Sequence, residues 1–394
     1  MDDPVLIEGG RARARDLGLA SGQLPTGPLN AISDVPGIRV GHATVVAGTD
    51  IRTGVTAIVH DDLLSGASAL PAGLAVFNGF GKMVGNTQLT ELGTLETPVL
   101  LTATLSVFRV ADALLSYLHE RRWGQHGAEE PRTLNPIVAE TNDSYLSDIW
   151  ARPITPEHVR MALDAAAAAP VAEPVAEGCV GAGTGTAALG FKAGIGSSSR
   201  TVTWADGPVT LGALVQANFG GELTVLGTPV PAAEALAAAG IAAEPGTEPP
   251  GTQPPGKQPP DTEPPGPEPP GGSCVIVLAT DAALDSRQLE RVAWRAFAGM
   301  ARTGSDFSGR SGDYALAIST AARRGAAGAG EPVPLRDLDL LFQAAIEATE
   351  EAILNSLFMA VTTHGFRGHV RHAVPLDYVR TRLSGGSSAG RSAS

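Results

Sequence analysis

The chain has 394 residues, with 28 Lys and Arg against 41 Asp and Glu, a formal net charge of −13, and 43% of it is hydrophobic. This is a globular composition, long enough to bury a large core without disulfides or a structural metal. The deficit of positive charge argues against a binder of nucleic acid or anionic lipid, whose affinity rests on clustered Lys and Arg, and favours small-molecule or peptide chemistry.

Met1 to Asp16 carries Asp2, Asp3 and Glu8 and has no apolar core of the kind a secretory signal needs. No stretch reaches the roughly 18 unbroken apolar residues of a membrane span. The expectation is a cytoplasmic protein with no membrane partner. Cys179 and Cys274 cannot make a disulfide framework, no Cys/His spacing fits zinc, and no cofactor is expected.

In chain order, Thr56 to His60 reads as a strand, Val107 to Leu118 as a helix and Pro136 to Glu140 as a strand. Thr155, Pro156 and Glu157 form an N-cap, first helical position and first-turn acid that open a helix through Ala168. Gly181 to Gly185 and Gly190 to Gly196 read as tight turns near a substrate pocket, with Lys192 and Arg200 as surface or anion-pairing residues; GAGTGT stops short of a dinucleotide-binding fingerprint. Val209 to Ala217 is a further strand candidate.

Glu244 to Gly272 breaks the pattern. It holds 12 of the 30 prolines and no large aliphatic or aromatic residue, so it cannot bury enough apolar surface to offset its ordering entropy and reads as a disordered tether. Beyond it, SCVIVLATDA (Ser273 to Ala282) reads as a buried strand, Leu289 to Met300 and Leu338 to Ile346 as amphipathic helices, and Tyr314 to Ser319 as a strand. No internal repeat is present. The elements mix α and β, and one layered catalytic domain assembled from residues 1–243 and 273–394, interrupted by the tether at 244–272, fits them best.

The right-hand border of the tether carries chemistry. If the bond between Gly272 and Ser273 is cut, Ser273 becomes a new N-terminus whose free α-amine, with a reference pKa near 7.7 to 8.0, can act as general base for its own hydroxyl. The same hydroxyl could make the cut by an N-to-O acyl shift. On its own, Gly-Gly-Ser more commonly just ends a linker, since Gly-Ser pairs are frequent there. Ser311-Gly312-Asp313 is equally a turn or cap, and Asn218 a loop residue. Cys274 cannot share a face with Ser273 in a strand and reads as a small core residue. His364, Arg367, His369 and His372 form a loose basic cluster, with exposed or satisfied histidines the commoner case.

Gly271 to Ser305 (GGSCVIVLATDAALDSRQLERVAWRAFAGMARTGS) and Ser311 to Thr320 (SGDYALAIST) together resemble the DmpA-type aminopeptidases, the β-aminopeptidase or L-aminopeptidase/D-esterase family. Further matching stretches are ISDVPGIRVGHATV from Ile32, GNTQLTELGTLETPVLLTATLSV from Gly85, NPIVAETNDSYLSD from Asn135, GAGTGTAALGFKAGIGSSSR from Gly181 and LGALVQANFGG from Leu211. The resemblance implies a self-cleaving serine hydrolase with a four-layered α/β/β/α fold, related to N-terminal nucleophile hydrolases, whose α and β pieces, here 272 and 122 residues, stay together in a homo-oligomer. It makes Ser273 the nucleophile, Ser311 and Asp313 the groups that orient its amine and hydroxyl, Asn218 the oxyanion donor and Tyr145 an active-site tyrosine. The activity implied is removal of an N-terminal residue from short peptides, amides or esters through an acyl-enzyme, the substrate amine held by carboxylates near the nucleophile. Ala103 and Phe108 depart from the family pattern, which has Asn and Gly there, so a changed pocket wall is expected and the family's substrate preference does not carry over. Alternatives are an ω-amino acid oligomer hydrolase, a branch in which threonine is the nucleophile, an acyltransferase of the ornithine acetyltransferase type, and a nonenzymatic scaffold.

Overall fold

The computed structural model describes residues 10–123, 133–204, 207–242, 272–321 and 335–389; the Pro-rich segment read as a tether, except Gly272, lies outside them. The principal strands are β1 (Arg39–Ala47), β2 (Ile51–Val59), β3 (Leu70–Gly79), β4 (Thr94–Leu95), β5 (Val99–Ala103), β6 (Ile137–Thr141), β7 (Ile195–Trp204), β8 (Gly207–Asn218), β9 (Ser273–Thr280) and β10 (Gly312–Ser319). The long helices are α1 (Val107–Arg122), α2 (Pro156–Ala168), α3 (Ser286–Arg302) and α4 (Leu335–Phe358). No described helix is long and apolar enough to cross a membrane.

Two sheets carry the fold. A four-stranded sheet runs β1-β2-β5-β6 and a six-stranded sheet β4-β3-β10-β9-β8-β7. In the larger sheet, the two strands after residue 272 sit at the centre, flanked by β3 and β8 from before it. Each part of the chain therefore lacks its neighbours without the other. β9 and β10 pair in parallel, which needs a crossover, and α3 supplies it.

Every residue of β9 is buried, as its unbroken β-branched and apolar run requires of a central strand covered on both faces. Val275, Val277 and Ala279 pack with Ile58, Val99, Leu101, Ile137 and Ala139 of the smaller sheet. Cys274, Ile276 and Leu278 face the opposite way, into a cluster with Val292, Ala296 and Phe297 of α3 and Leu341 and Ala345 of α4. A third cluster joins the outer face of the smaller sheet, through Val55, Leu100 and Val138, to Val110 and Leu114 of α1 and Val159 and Leu163 of α2.

The helix ends follow their sequence signals. Thr155 caps α2 with Pro156 at the first helical position, and Asp285 and Gln288 exchange hydrogen bonds of 2.7 and 3.0 Å in a capping box that starts α3. α4 outruns the expected Leu338 to Ile346. Glu347, Glu350 and Glu351 break the apolar stripe in sequence yet are buried in the structure, because arginines from other elements reach them. Arg200 on β7 meets Glu347 at 3.2 Å and Glu351 at 2.7 Å, and Arg15 meets Glu351 at 2.6 Å.

Candidate active site

The site lies where β8, β9 and β10 begin or end together. Ser273, the first residue of β9, is 2% exposed, and strand alternation puts its side chain in phase with Val275 and Val277, toward the smaller sheet. Asn218, the last residue of β8, stands directly across from it in the antiparallel pair. Direct partners in such a pair hold their Cβ atoms about 4.5–5.5 Å apart on one face. Ala187 N–H donates to Asn218 Oδ1 at 3.1 Å, which fixes the amide so that its NH2 is the end left to face a ligand. A donor also reaches the Ser273 hydroxyl from the smaller sheet: the Asn142 N–H, just after β6, lies 3.1 Å from Ser273 Oγ.

On the other side of Ser273 stands Gly312, its parallel register partner. The Gly312 N–H donates to the Gly272 carbonyl oxygen at 3.2 Å, so the peptide bond ahead of Ser273 has its acceptor engaged and polarised. A Cβ on Gly272 would stand 3.2 Å from Ser311 Oγ. The Ser311 hydroxyl donates to Asp313 Oδ1 at 2.6 Å, and Asn78 Nδ2, at the end of β3, donates to Asp313 Oδ2 at 2.8 Å and to the Phe307 and Ser308 carbonyls at 3.2 Å each. Burial pushes the Asp313 carboxyl up from its ordinary range, and the Ser311 and Asn78 donors hold part of that rise back.

Asp313 pairs in register with Cys274. Its side chain therefore points away from the face that carries the Ser273 hydroxyl. The Ser273 hydroxyl and the Asp313 carboxylate therefore lie on opposite faces of the sheet at the Gly272–Ser273 junction. Cys274 is fully buried and its thiol is pushed well up by burial, so it is a core residue and not a nucleophile.

Tyr145 sits in the turn that follows Asn142, where Leu146 N–H and Ser147 N–H both return to the Asp143 carbonyl. His369 stacks on its ring at 4.3 Å and 11°, Arg371 lies over the ring at 3.7 Å, and His369 Nδ1 is 2.8 Å from the Tyr145 carbonyl. Of the expected basic cluster, His369 is thus part of the wall around Tyr145. Glu140, on β6, is a second carboxylate near the site. Lys82 N–H donates to it at 2.9 Å, the Thr104 hydroxyl also reaches it, and burial raises it. It lies beside Gly81, whose other close neighbours are the Tyr314 ring and Gly312.

The structure gathers Ser273, Asn218, Ser311 and Asp313 around one peptide bond and puts Tyr145 on the turn that touches Ser273. It corrects the reading of Lys192 as a surface residue: Lys192 is fully buried and its ammonium donates to the Gly183 and Ala193 carbonyls, at 3.1 Å to the former. Arg200 is buried too, within the ion network of α4. Sequence reasoning missed Asn78 and Asn142. The first lies in an NGFG stretch that could have been read as a strand end; the second acts through its backbone N–H and leaves no side-chain signature.

Against known proteins, the model of peptidase family S58 matches residues 30–371. The chain belongs to this family. It is 38% identical over 386 residues to the beta-peptidyl aminopeptidase BapA of Sphingosinicella microcystinivorans, covering 94% of this chain and 91% of that protein. Among solved structures, the PH0078 protein of Pyrococcus horikoshii OT3 is 39% identical with a TM-score of 0.79, covering 95% of this chain and 99% of that one. The L-aminopeptidase D-Ala-esterase/amidase of Ochrobactrum anthropi, described as a prototype of the serine aminopeptidases and a new variant of the Ntn hydrolase fold, is 32% identical with a TM-score of 0.78 over the same shares. This S58 chain is a hydrolase, a serine aminopeptidase.

Proposed function

We propose that this chain cuts its own Gly272–Ser273 bond and then removes N-terminal residues from short peptides, amides or esters with Ser273 as nucleophile. The observation that carries the reading is the placement of one buried serine hydroxyl at the start of a central strand, with a backbone donor on it, an amide across from it and a hydroxyl–carboxylate pair beside Gly272 on the adjoining strand.

In the processing step, Ser273 Oγ attacks the Gly272 carbonyl carbon, the C–N bond breaks and the nitrogen leaves as the Ser273 amine. Water then hydrolyses the resulting ester to a Gly272 carboxylate and a free hydroxyl. The Gly312 N–H sits on the carbonyl oxygen that becomes negative. The released amine is no longer confined to one face of the sheet and bridges the two halves of the site: it accepts the Ser273 hydroxyl proton on one side and is held by Ser311 and Asp313 on the other. Turnover repeats the chemistry on a substrate carbonyl, with Asn218 Nδ2 and the Asn142 N–H as donors toward the developing oxyanion. Tyr145 lines the pocket, and Glu140 is the carboxylate placed to receive a substrate ammonium. The likeness to BapA favours β-amino acyl groups among the substrates. In this reading residues 1–272 and 273–394 form one four-layered α/β/β/α unit, supported by the three apolar clusters between sheets and helices, and such units assemble into a homo-oligomer in the cytoplasm.

Denaturing intact-mass spectrometry tests it. The expected result is a 122-residue piece beginning at Ser273, absent in Ser273→Ala together with hydrolysis of aminoacyl amides; an uncut chain that still hydrolyses them overturns the reading. Added amine acceptors distinguish hydrolysis from acyl transfer.

A further inference from the structure

We propose that Gln216 is a positioning residue. Its side-chain amide fastens the two sheets to each other just behind Ser273, so that donors carried by separate sheets, the Asn142 N–H and Asn218 Nδ2, converge on one carbonyl oxygen. The proposal rests on Ser273 being the nucleophile.

The two donors do not share a sheet. Asn142 follows β6 of the smaller one, and Asn218 ends β8 of the larger. The layer between the sheets, where Leu214, Val275 and Val277 meet Ile58, Leu101, Ile137 and Ala139, is apolar. Apolar contact is non-directional: it holds two sheets together without fixing where one lies along the other. A hydrogen bond, confined to a narrow range of length and angle, does fix it.

Gln216 supplies such bonds. It lies two residues before Asn218 on β8 and in phase with Leu214, so it faces the smaller sheet, and it is fully buried. Its Nε2 donates to the Thr102 carbonyl at 3.1 Å and to the Ala182 carbonyl at 2.9 Å. Both amide hydrogens are thereby used. Oε1 has no hydrogen-bond partner among the described residues, so it is the NH2 end that makes the connection.

The two acceptors lead to the two donors. Thr102 is on β5, and its register partner on β6 is Glu140, two residues before Asn142. The bridge therefore stands two residues behind the oxyanion donor on each sheet, about 6.6 Å along a strand. Ala182 belongs to the Gly181–Gly183 turn. Its N–H donates to Thr56 Oγ1 at 3.1 Å and the Gly181 N–H to Thr44 Oγ1 at 2.8 Å, which ties the turn to β2 and β1. The chain leaving that turn reaches Ala187, whose N–H fixes Asn218 Oδ1. One amide thus links the strand beside Asn142 to the segment that orients Asn218.

Self-cleavage and turnover depend on this link differently. Ser273, Gly272 and the Gly312 N–H all belong to the larger sheet or its edge, so the cut needs no alignment between sheets. Turnover needs a donor from each. Loss of the bridge separates the two activities.

The test is Gln216→Met, which keeps the length of the side chain and removes its donors. Two buried carbonyls lose a partner, so the melting temperature is expected to fall, and activity is measured well below it. Denaturing mass spectrometry is expected to show the chain cut at Ser273 as in wild type. Hydrolysis of aminoacyl amides is expected to lose at least about 20-fold in kcat with KM within about threefold, since a misplacement of about 1 Å at the reacting groups costs on the order of 100-fold. In the Asn218→Ala background the same substitution should cost less than about fivefold, because one of the two donors to be aligned is already gone. Losses that multiply in the double variant overturn the proposal, as does a kcat within about threefold of wild type. Equal loss of processing and turnover also overturns it, by marking a merely structural bridge. Should Gln216→Met not fold, the isosteric Gln216→Glu, whose acid can donate to one carbonyl at most, is held to the same outcomes, and failure of both to fold overturns the proposal. An active Ser273→Ala removes the nucleophile reading itself; an inactive Ser273→Ala beside an unimpaired Gln216→Met sinks only the role of Gln216.

Discussion

Gly312 and Gly81 touch backbone to backbone: a Cβ on Gly312 would stand 2.5 Å from both the Cα and the N of Gly81. Gly312 is also the residue whose N–H holds the Gly272 carbonyl and the register partner of Ser273. Gly312→Ala therefore cannot be absorbed by a side-chain shift. Either β10 or the Phe80–Gly81 backbone must move, and the N–H leaves the scissile carbonyl. The expected outcome is a folded chain that accumulates uncut, read by denaturing mass spectrometry and circular dichroism. Efficient processing of this variant would refute the role given to Gly312.

Asn218→Ala removes the one side chain directly opposite the nucleophile. Loss of a single oxyanion donor costs about 10²–10³ in kcat in other acyl-transfer enzymes, and a similar drop with little change in KM is expected here. Asn218→Asp is the sharper variant. It keeps the Ala187 hydrogen bond and replaces the NH2 with an acceptor, so it should be at least as inactive as Asn218→Ala while holding its melting temperature.

Asn78 gives a pH-dependent consequence. Its amide stabilises the ionised Asp313, and Asn78→Ala removes that donor while leaving the burial that raises the carboxyl. The Asp313 pKa then moves higher, so a larger fraction is protonated at a given pH below neutrality. The acid limb of kcat/KM is expected to shift to higher pH, with activity at pH 9 falling much less than at pH 6. A parallel loss at both pH values would mean that Asn78 only supports the Phe307–Ser308 loop.

Why Ser273 was legible and Asn78 was not follows from the kind of signal each leaves. The strand that carries Ser273 is an unbroken β-branched run beside a segment too poor in apolar residues to fold, a contrast visible in sequence. α2 announces itself through Thr155 and Pro156, and α3 through the apolar periodicity from Leu289 to Met300. Asn78, Asn142 and Gly312 matter only because β3, β6 and β10 end at the same place as β9, and such coincidence in space has no local sequence pattern. Lys192 misled for a related reason. Its cation is buried because backbone carbonyls surround it, and carbonyls are the same in every sequence. The lower half of α4 was lost because its buried faces carry Glu347, Glu350 and Glu351, whose partners lie more than a hundred residues away or on another helix.

That network yields the last prediction. The Glu351 carboxylate, fully buried, takes hydrogen bonds from Arg15, Arg200 and Asn30, binding the N-terminal segment and β7 to α4. Burial alone would raise its pKa, but the Arg15, Arg200 and Asn30 partners outweigh it and hold the group below the ordinary carboxylate range. A carboxyl lowered by folding stabilises the protein above its unfolded value, near 4.3, and that contribution is lost as pH falls through the folded value. Glu351→Ala leaves the guanidinium of Arg200 with Glu347 as its remaining acidic partner. Breaking one side of a buried pair costs about 3–5 kcal/mol, and a loss of that order is expected at pH 7 in urea titrations. At pH 3 the gap between wild type and variant should narrow, since the wild-type carboxylate is being protonated as well. A gap that stays constant from pH 7 to 3 would assign the loss to packing around α4 and not to charge.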